Sequence, residues 1–404
     1  MASILRSRLA SRRLVQQYQP LLRRGVQTTA DTTQLASAPS DPNSQPFTLK
    51  LHEDSFQAYL CDKPELEVQM TKGELLQMYR EMQTMRRMEM AADALYKAKM
   101  IRGFCHLAIG QEAVSVGMEH GIEKDDRVIT GYRCHPFAVL RGGTIEGVIA
   151  ELLGRTGGMS SGKGGSMHIF TPSFFGGNGI VGAQVPVGAG AAFAQMYRGE
   201  KNCTFAMYGD GASNQGQVFE AFNMAKLWNL PCIFVCENNK YGMGTPAERS
   251  SSNTQYFTRG DKIPGIQVNG MDIIAAKQAV QYARKWAVDD QKGPLLLEFV
   301  TYRYGGHSMS DPGTTYRTRE EVQRMRSTQD PIRGLQRYLE EWGVASEQEL
   351  KSLDKAAKAE VDAAVEKAKA SAEPVAKDLW TDIYYKGTEP SSMRGREREE
   401  VHNY

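Results

Sequence analysis

Residues that could hold a metal ion follow two apolar stretches in the middle of the chain. Asp210 stands between two glycines after residues 203–208, and Asn238 and Asn239 follow residues 232–236. Carboxylate and amide oxygens are hard ligands that suit Mg²⁺ or Ca²⁺, but two are too few to enclose an ion. Mg²⁺ usually completes its coordination shell with waters and phosphate oxygens, and glycines let a ligand approach the backbone. The pattern therefore predicts a magnesium–diphosphate site, whereas a bare Gly-Asp-Gly would favour a simple strain-relieving turn.

The elements that must position these residues form a strand–helix–strand unit. The two apolar stretches have the composition of buried strands, and residues 212–228 between them have a helical pattern that ends at Asn229-Leu230-Pro231. Strands joined by a helix should run parallel with a right-handed crossover. Asp210 and Asn239 then lie at the carboxyl ends of neighbouring strands, the edge where open α/β sheets bind ligands. The helix is expected to bury one broad face made of Val218, Phe219, Phe222, Met224 and Ala225.

The spacing of Gly209-Asp210-Gly211 and Asn238-Asn239 is similar to the thiamin-diphosphate motif, and residues 208–216 and 237–244 resemble one family in particular. This is the α-subunit family of the first, decarboxylating component of the pyruvate dehydrogenase complex. The resemblance runs from about Phe47 into the C-terminal region. It implies an α/β thiamin-diphosphate-binding fold, with a parallel sheet flanked by helices and a helical C-terminal extension. It also implies that Mg²⁺ is held by Asp210, Asn239 and the backbone carbonyl of Tyr241, with Gly211 and Ala212 at the cofactor.

Further site residues are implied by the same resemblance. His106 would face the 2-oxo acid, although the residues alone favour a buried structural histidine. An Arg beside a Tyr can clamp a diphosphate or a carboxylate, or form a surface ion pair, and the family assigns both to cofactor and substrate contact. The remaining expected contacts are Tyr132 and Arg133 with cofactor and substrate, Gly179 and Val181 with the aminopyrimidine ring through their backbone, and His307 with the reacting group or the lipoyl arm. His135 has no assigned role, and Pro136 stands where the family has Gly.

Residues 302–313 form a Gly- and Ser-rich stretch that predicts a mobile surface loop. The adjacent His307 and Ser308 do not indicate a hydrolase, because no nucleophile elbow surrounds the serine. The resemblance instead implies that Ser308 is the main inhibitory phosphorylation site, where a phosphate would add negative charge at the mouth of the site. Thr315 stands at a second phosphorylatable position, and Pro246 removes a third.

Two glycine-rich motifs between residues 154 and 190 are rejected as nucleotide sites. Residues 157–164 resemble a P-loop, but Gly164 stands where the motif needs Ser or Thr. Residues 177–182 match G-x-G-x-x-G, but neither a preceding strand nor the required downstream acidic residue is evident. The stretch 176–190 better fits a loop that enters a Gly/Ala-rich helix packed on the sheet.

The ends of the chain differ in composition from its centre. The 404 residues are 41% hydrophobic and 24% charged with a net charge of +2, and residues 1–30 carry six arginines and no acid. That segment has the composition of a mitochondrial presequence, and it predicts the matrix, where the six cysteines should stay reduced. The rest of the chain shows no basic footprint for nucleic acid and no membrane span. The predicted divisions are a presequence at 1–30, a flexible linker at 31–46, the cofactor-binding domain at 47–318 and a helical region with a mobile charged tail at 319–404.

The resemblance also implies an activity and partners. These are oxidative decarboxylation of pyruvate, a β subunit in an α₂β₂ heterotetramer, a lipoyl-bearing dihydrolipoyl acetyltransferase core, and a regulatory kinase and phosphatase. The chain has one α/β module, so the glutamate that activates the cofactor ring is expected from the β subunit. Two alternatives stay open: the α subunit of branched-chain 2-oxo acid dehydrogenase, and a non-catalytic scaffold subunit that retains the fold.

Overall fold

The computed structural model of this chain describes residues 42–397 and 399–404. Residues 42–404 make up one compact unit. The predicted presequence and residues 31–41 of the predicted linker lie outside the described residues. The last part of that linker includes a 3₁₀-helical turn, Pro42–Ser44, and the first strand begins at Pro46. The proposed boundary between residues 318 and 319 stays a prediction.

The strands are β1 Pro46–Lys50, β2 Phe56–Tyr59, β3 Glu67–Thr71, β4 Arg127–Ile129, β5 Thr204–Gly209, β6 Cys232–Asn238, β7 Tyr241–Gly242, β8 Thr245–Pro246, β9 Gly265–Asn269, β10 Leu295–Val300, β11 Ser392–Arg394 and β12 Val401–Asn403. The α-helices are α1 Lys72–Lys97, α2 Glu112–Glu119, α3 His135–Leu140, α4 Ile145–Leu152, α5 Gln184–Arg198, α6 Gly216–Leu227, α7 Ala247–Ser250, α8 Ile273–Arg284, α9 Arg319–Thr328, α10 Pro331–Glu341 and α11 Glu347–Ala370.

A six-stranded sheet in the order β2-β9-β10-β6-β5-β4 forms the centre of the molecule. Strands β4, β5, β6, β10 and β9 are parallel to one another, whereas β2 pairs antiparallel with β9. The α/β prediction is confirmed, and the sheet is mixed rather than wholly parallel. The exception is at an edge, where antiparallel strands are commonly added to parallel sheets. Strand β2 follows directly from a short 3₁₀ turn, Glu53–Ser55, so it reaches that edge without a crossover helix.

Helices cover both faces of this sheet, which explains why its central strands are continuously apolar. One face packs against α8, and the same hydrophobic core includes an apolar stripe of α1 that is fully buried: Leu75, Met78, Met82, Met85 and Met88. The other face packs against α5 and α6. An added Cβ at Gly188 of α5 would lie 2.5 Å from the Ala206 side chain, so this helix approaches the sheet closely, as its small residues predict.

The buried face of α6 differs in part from the predicted one. Val218, Phe222 and Ala225 are buried together with Ala221, but Met224 is only half-buried and Phe219 is exposed. The reason is geometric, because residues at i, i+3, i+4 and i+7 share one helical face and Phe219 lies a further 100° around it. The six cysteines are unpaired, as predicted, and Cys232 and Cys236 are core residues of β6.

The C-terminal helices are attached to the sheet domain rather than standing free of it. Helix α11 packs against α1 and α4 through an apolar face that includes Val361 and Ala368. Arg87 of α1 forms a bidentate ion pair with Asp354 of α11, in which Nε donates to Oδ1 at 3.0 Å and Nη2 donates to Oδ2 at 2.7 Å. Strands β11 and β12 pair as a short antiparallel hairpin in the C-terminal tail, and the mobility of that tail stays a prediction. In the described part of the chain, no helix is both long and apolar enough to cross a membrane.

Candidate active site

Two neighbouring strands place Asp210 and Asn239 at one edge of the sheet. Strand β5 ends at Gly209 and β6 at Asn238, and the parallel register pairs Gly209 with Glu237. The residues that follow therefore emerge side by side at the carboxyl edge. The predicted juxtaposition of Asp210 and Asn239 is confirmed. A 3₁₀ turn at Ala212–Asn214 intervenes before α6 begins at Gly216, so the helix starts four residues later than predicted.

The Asp210 carboxylate is buried without enough partners. It is 2% exposed, and its Oδ2 atom has no hydrogen-bond partner among the described residues. Burial raises the pKa of Asp210 to about 6. A buried carboxylate with a free oxygen is costly unless a cation or donor compensates it, so this atom points to a ligand.

Asn239 and Tyr241 direct two further oxygens toward the same place, and both face a buried arginine. Arg303 Nη1 donates to Asn239 Oδ1 and to the Tyr241 carbonyl, each at 3.2 Å. Its Nη2 donates to the Met243 carbonyl and the Tyr316 hydroxyl, also at 3.2 Å. Burial lowers the pKa of Arg303 to about 10. A positive charge thus already lies against two of the three atoms predicted to bind a metal ion.

The sequence prediction did not include Arg303, although its position carried a signal. It lies three residues beyond β10, and β10 is the neighbour of β6 on the side away from β5. The rule that selected Asp210 and Asn239 applies equally to the end of a third parallel strand.

The oxygen set fits a hard divalent cation that also binds a phosphate. It combines one carboxylate, one amide oxygen and one carbonyl oxygen, all ligand types that such cations accept. No group of three His, Cys, Asp or Glu side chains in residues 42–397 and 399–404 is arranged to hold a metal ion. Phosphate oxygens would therefore complete the shell, as the sequence prediction required.

A cavity of about 270 Å³ opens beside these oxygens and brings together most of the predicted site residues. Those that line it are Tyr132, Arg133, Val181, Asp210, Gly211, Ala212, Asn239, Tyr241 and His307. Gly179 and His106 are not among the lining residues. Gly179 is exposed two residues before Val181. The ring of His106 packs on Tyr132 with a centroid distance of 4.2 Å, and its distance to His307 is 5.2 Å.

The two histidines near the cavity are held in the neutral form. Burial, followed by the charge of Arg133, lowers the pKa of His106 to about 3 and that of His307 to about 4. Arg133 itself donates to the carbonyls of Leu107 and His307. It therefore links the segment that carries His106 to the loop that carries His307, while its charge stays at the cavity wall.

Comparison with known proteins agrees with this geometry. The model of the family described as dehydrogenase E1 component matches residues 80–377, well over half of the chain. The chain belongs to this family. The mitochondrial pyruvate dehydrogenase E1 component subunit alpha of Chaetomium thermophilum is 62% identical over 385 residues, which cover 95% of this chain and 93% of the relative. The protein of that name from Kluyveromyces lactis is 61% identical over 358 residues, which cover 88% and 87%. That of Schizosaccharomyces pombe is 58% identical over 381 residues, which cover 93% of each chain.

Membership of the dehydrogenase E1 component family implies dependence on thiamin diphosphate. It also supports the predicted α/β thiamin-diphosphate-binding fold, since the sheet is flanked by helices on both faces. The hydrogen bonds of the P-loop-like stretch also argue against a nucleotide site there. The amides of the P-loop-like stretch are occupied by a side chain of the same chain: Ser160, Gly162, Gly164 and Gly165 all donate to the Glu151 carboxylate.

His135, which had no predicted role, forms a buried hydrogen-bonded group behind the active site. Its Nδ1 lies 2.9 Å from Glu89 Oε2, and its Nε2 lies 2.8 Å from Ser166 Oγ. Glu89 also accepts the Ala108 amide at 2.9 Å. The order of residues matches a hydrolase triad, but all three side chains are buried and none lines the cavity. The group instead links the segments that carry His106 and Arg133. No motif or residue spacing in the sequence predicts this hydrogen-bonded group.

The loop at residues 302–313 lies over the site and is held by internal hydrogen bonds. The Asp311 carboxylate accepts the amides of His307 and Gly313 and the hydroxyl of Tyr316. Ser308 is 8% exposed, and its hydroxyl lies 2.9 Å from that of Ser310. Thr315 is exposed. A phosphate on Ser308 would therefore have to displace the loop, whereas one on Thr315 would not.

Proposed function

We propose that this chain is the α subunit of pyruvate dehydrogenase, which decarboxylates pyruvate oxidatively and transfers the two-carbon unit to a lipoyl group. Its place of action is the mitochondrial matrix, in agreement with the names of its relatives. The observation that carries the proposal is the oxygen trio of Asp210, Asn239 and Tyr241 in a chain of this family. Asp210 contributes to it a buried oxygen that has no partner among residues 42–397 and 399–404.

Asp210, Asn239 and the Tyr241 carbonyl would hold Mg²⁺, and the backbone at Gly211 and Ala212 would face the diphosphate. When bound, thiamin diphosphate supplies the electron sink that decarboxylation of a 2-oxo acid requires. Val181 lines the cavity, and we propose that it and Gly179 contact the aminopyrimidine ring through their backbone. These groups would bind and orient the cofactor, and a bound cation would compensate the Asp210 Oδ2 atom, which has no hydrogen-bond partner among the described residues.

Tyr132, Arg133, His106 and His307 would form the substrate side of the site. Arg133 lies at the cavity wall and provides a positive potential for an anionic oxo acid. Because both imidazoles have strongly lowered pKa values, they are neutral at pH 7 and act there as hydrogen-bonding groups rather than as cations. In the part of the chain that the structure describes, their Nδ1 atoms have no hydrogen-bond partner, which leaves these atoms for the substrate, the reacting group or the lipoyl arm.

The proposed partners are a β subunit in an α₂β₂ heterotetramer, the lipoyl-bearing acetyltransferase core, and a kinase and phosphatase acting on Ser308. Large apolar side chains are exposed near the cavity, among them Ile180 and Val187. Exposed apolar groups of this kind indicate contact with another chain. A β subunit that covers them would also be positioned to supply the glutamate for the cofactor ring. Kinase treatment followed by mass spectrometry should find Ser308 modified in step with inactivation, and modification of Thr315 alone would contradict this regulatory assignment.

Two measurements test the proposed function. Mg²⁺ and thiamin diphosphate are titrated calorimetrically into the full chain, first alone and then with its β partner. Binding to the mixture only is expected, tight binding to the isolated chain would contradict a shared site, and binding in neither case would contradict the catalytic proposal. Turnover of the assembly is then compared on pyruvate and on 2-oxoisovalerate, where preference for the branched substrate would overturn the pyruvate assignment.

A further inference from the structure

Three polar side chains beside the cavity form a short hydrogen-bonded row, and two of them, Glu237 and Asn239, line the cavity itself. Gln111 Nε2 donates to Glu237 Oε1 at 2.5 Å, and Asn239 Nδ2 donates to Gln111 Oε1 at 3.1 Å. Gln111 is 1% exposed and immediately precedes α2. Its side chain does not cap that helix, and both arms of its amide take part in this row.

The residues at the two ends of this row, Glu237 and Arg303, determine how the side-chain amides of Gln111 and Asn239 are oriented. An amide group has a donor on one arm and an acceptor on the other. The Glu237 carboxylate accepts, so the Gln111 nitrogen faces it, and the Gln111 oxygen then faces the Asn239 nitrogen. At the opposite end, the Arg303 guanidinium can only donate, and it faces Asn239 Oδ1. Both ends therefore impose the same orientation on Asn239, with its oxygen toward the cation site.

We propose that Gln111 is a positioning residue for the metal ligand Asn239. Together with Glu237, it holds the Asn239 amide so that Oδ1, and not the Nδ2 amino group, is presented to the divalent cation. Without Gln111, only the hydrogen bond from Arg303 at 3.2 Å opposes a half rotation of the amide, and that rotation would present to the cation an NH₂ group that cannot coordinate it. This inference rests on the proposed function, because it takes Asn239 to be a ligand of the metal that binds thiamin diphosphate.

The test is the affinity of the assembled α and β chains for Mn²⁺ as a probe, measured by electron paramagnetic resonance in saturating thiamin diphosphate. Gln111→Met keeps a side chain of similar length and removes both hydrogen-bonding arms. Partners outside the ligand shell usually change metal affinity by about 10- to 100-fold. We expect Gln111→Met to weaken Mn²⁺ binding about tenfold, and an unchanged dissociation constant would overturn the proposal.

Gln195→Met is the matched control. Gln195 is also fully buried, and it makes two hydrogen bonds, donating to the Cys203 carbonyl at 3.3 Å and accepting from the Thr204 hydroxyl at 2.6 Å. These bonds lie at the amino end of β5, away from Asp210. The control should lower the melting temperature by an amount similar to Gln111→Met but leave Mn²⁺ affinity unchanged. Equal weakening in both variants would reduce the role of Gln111 to general stability.

A second experiment, in an Asn239→Asp variant, separates an effect on the orientation of the ligand from an effect on protein stability. Asn239→Asp provides oxygen on both arms, so a half rotation no longer removes the ligand. In that background, adding Gln111→Met should change the Mn²⁺ dissociation constant less than twofold, and a persistent tenfold loss would contradict the orientation argument. If the unmodified assembly fails to bind Mn²⁺ with thiamin diphosphate at all, the proposed function fails. If it binds but Gln111→Met binds equally well, only the positioning role fails.

Discussion

Two glycine-rich segments of this chain each enclose a buried carboxylate, and they compensate its charge in opposite ways. Around Glu151, the backbone amides of Gly164 and Gly165 donate to Oε1 at 2.6 and 3.0 Å, and those of Ser160 and Gly162 donate to Oε2 at 2.7 and 2.9 Å. Around Asp210, the Oδ2 atom has no partner in the described part of the chain. Both side chains are almost fully buried.

The difference shows how a structural carboxylate can be distinguished from one that binds a ligand. Transfer of a charged group out of water is unfavourable unless hydrogen bonds or an opposite charge compensate it. Four amide donors compensate Glu151 within the chain itself. The Oδ2 atom of Asp210 has no such partner within the described residues, and burial raises the pKa of Asp210 to about 6. The glycines are similar in both segments, so it is the partners of the carboxylate, and not the motif, that indicate function.

Replacing Asp210 should have the largest effect on function, and it tests whether this carboxylate binds a ligand while Glu151 does not. Asp210→Ala removes the single carboxylate of the oxygen trio, so we expect binding of Mg²⁺ with thiamin diphosphate to be lost and pyruvate turnover to fall at least about 10³-fold. The measurement is steady-state turnover of the assembly, together with calorimetric titration of the cofactor.

The fold should tolerate this replacement. A raised carboxylate pKa means that the folded chain disfavours the ionised form, so stability decreases as pH rises from the ordinary value of Asp toward about 6. Removing the carboxylate should leave the melting temperature of the cofactor-free chain at pH 7 unchanged or higher. Full activity in Asp210→Ala would instead support the non-catalytic scaffold alternative.

Replacing Glu151 should give the reverse result. In Glu151→Gln, the NH₂ arm faces two backbone amides that can only donate, which leaves buried donors unpaired at a cost on the order of 3 kcal/mol. We expect the melting temperature to fall by roughly 5 °C or more, whereas turnover of the protein that remains folded changes less than twofold. Loss of cofactor affinity at unchanged stability would show that the two carboxylates are not separate in function.

The comparison also indicates which features the sequence could predict. The β5–α6–β6 unit follows from apolar stretches bounded by glycine, asparagine and proline, because these signals are local. Its register then places Asp210 beside Asn239. Arg303 and Gln111 reach the same point from elements far away in the sequence, and neither belongs to a motif. The end of a third parallel strand was a signal for the position of Arg303, but its contact with Asn239, like that of Gln111, depends on tertiary packing and has no local pattern. For the same reason, the sequence does not show that residues resembling a P-loop surround the Glu151 carboxylate.

Two buried histidines of the active site, His106 and His307, should make the stability of the fold depend on pH. The Nδ1 atoms of His106 and His307 lack hydrogen-bond partners among the described residues, and the lowered pKa values are about 3 and about 4. In the unfolded chain, histidine binds a proton below about pH 6.5. The unfolded state is therefore favoured progressively as pH falls from 6.5 toward 4, and stability is lost in that window.

His106→Asn should remove part of this pH dependence. A single histidine contributes a loss of about 1 kcal/mol between pH 7 and pH 5.5, so the melting temperature of the variant should fall less steeply over this range than that of the unmodified chain. His52→Asn is the control, because His52 is exposed and its replacement should leave the slope unchanged. Parallel slopes for all three proteins would contradict neutral, buried imidazoles.

Lys163 provides the smallest and most selective test, because it stands where a P-loop would use its lysine to bind phosphate. Its ammonium group instead donates to the carbonyl and hydroxyl of Thr381, both at 2.7 Å, and to Asp382 at 2.9 Å. These partners are exposed, and exposed ion pairs contribute about 1 kcal/mol or less. We expect Lys163→Ala to lower the melting temperature by about 1 to 2 °C and to change thiamin diphosphate affinity less than twofold. A loss of more than fivefold in that affinity, at similar stability, would mean that residues 157–164 take part in phosphate binding, and the distinction between the two glycine-rich segments would no longer hold.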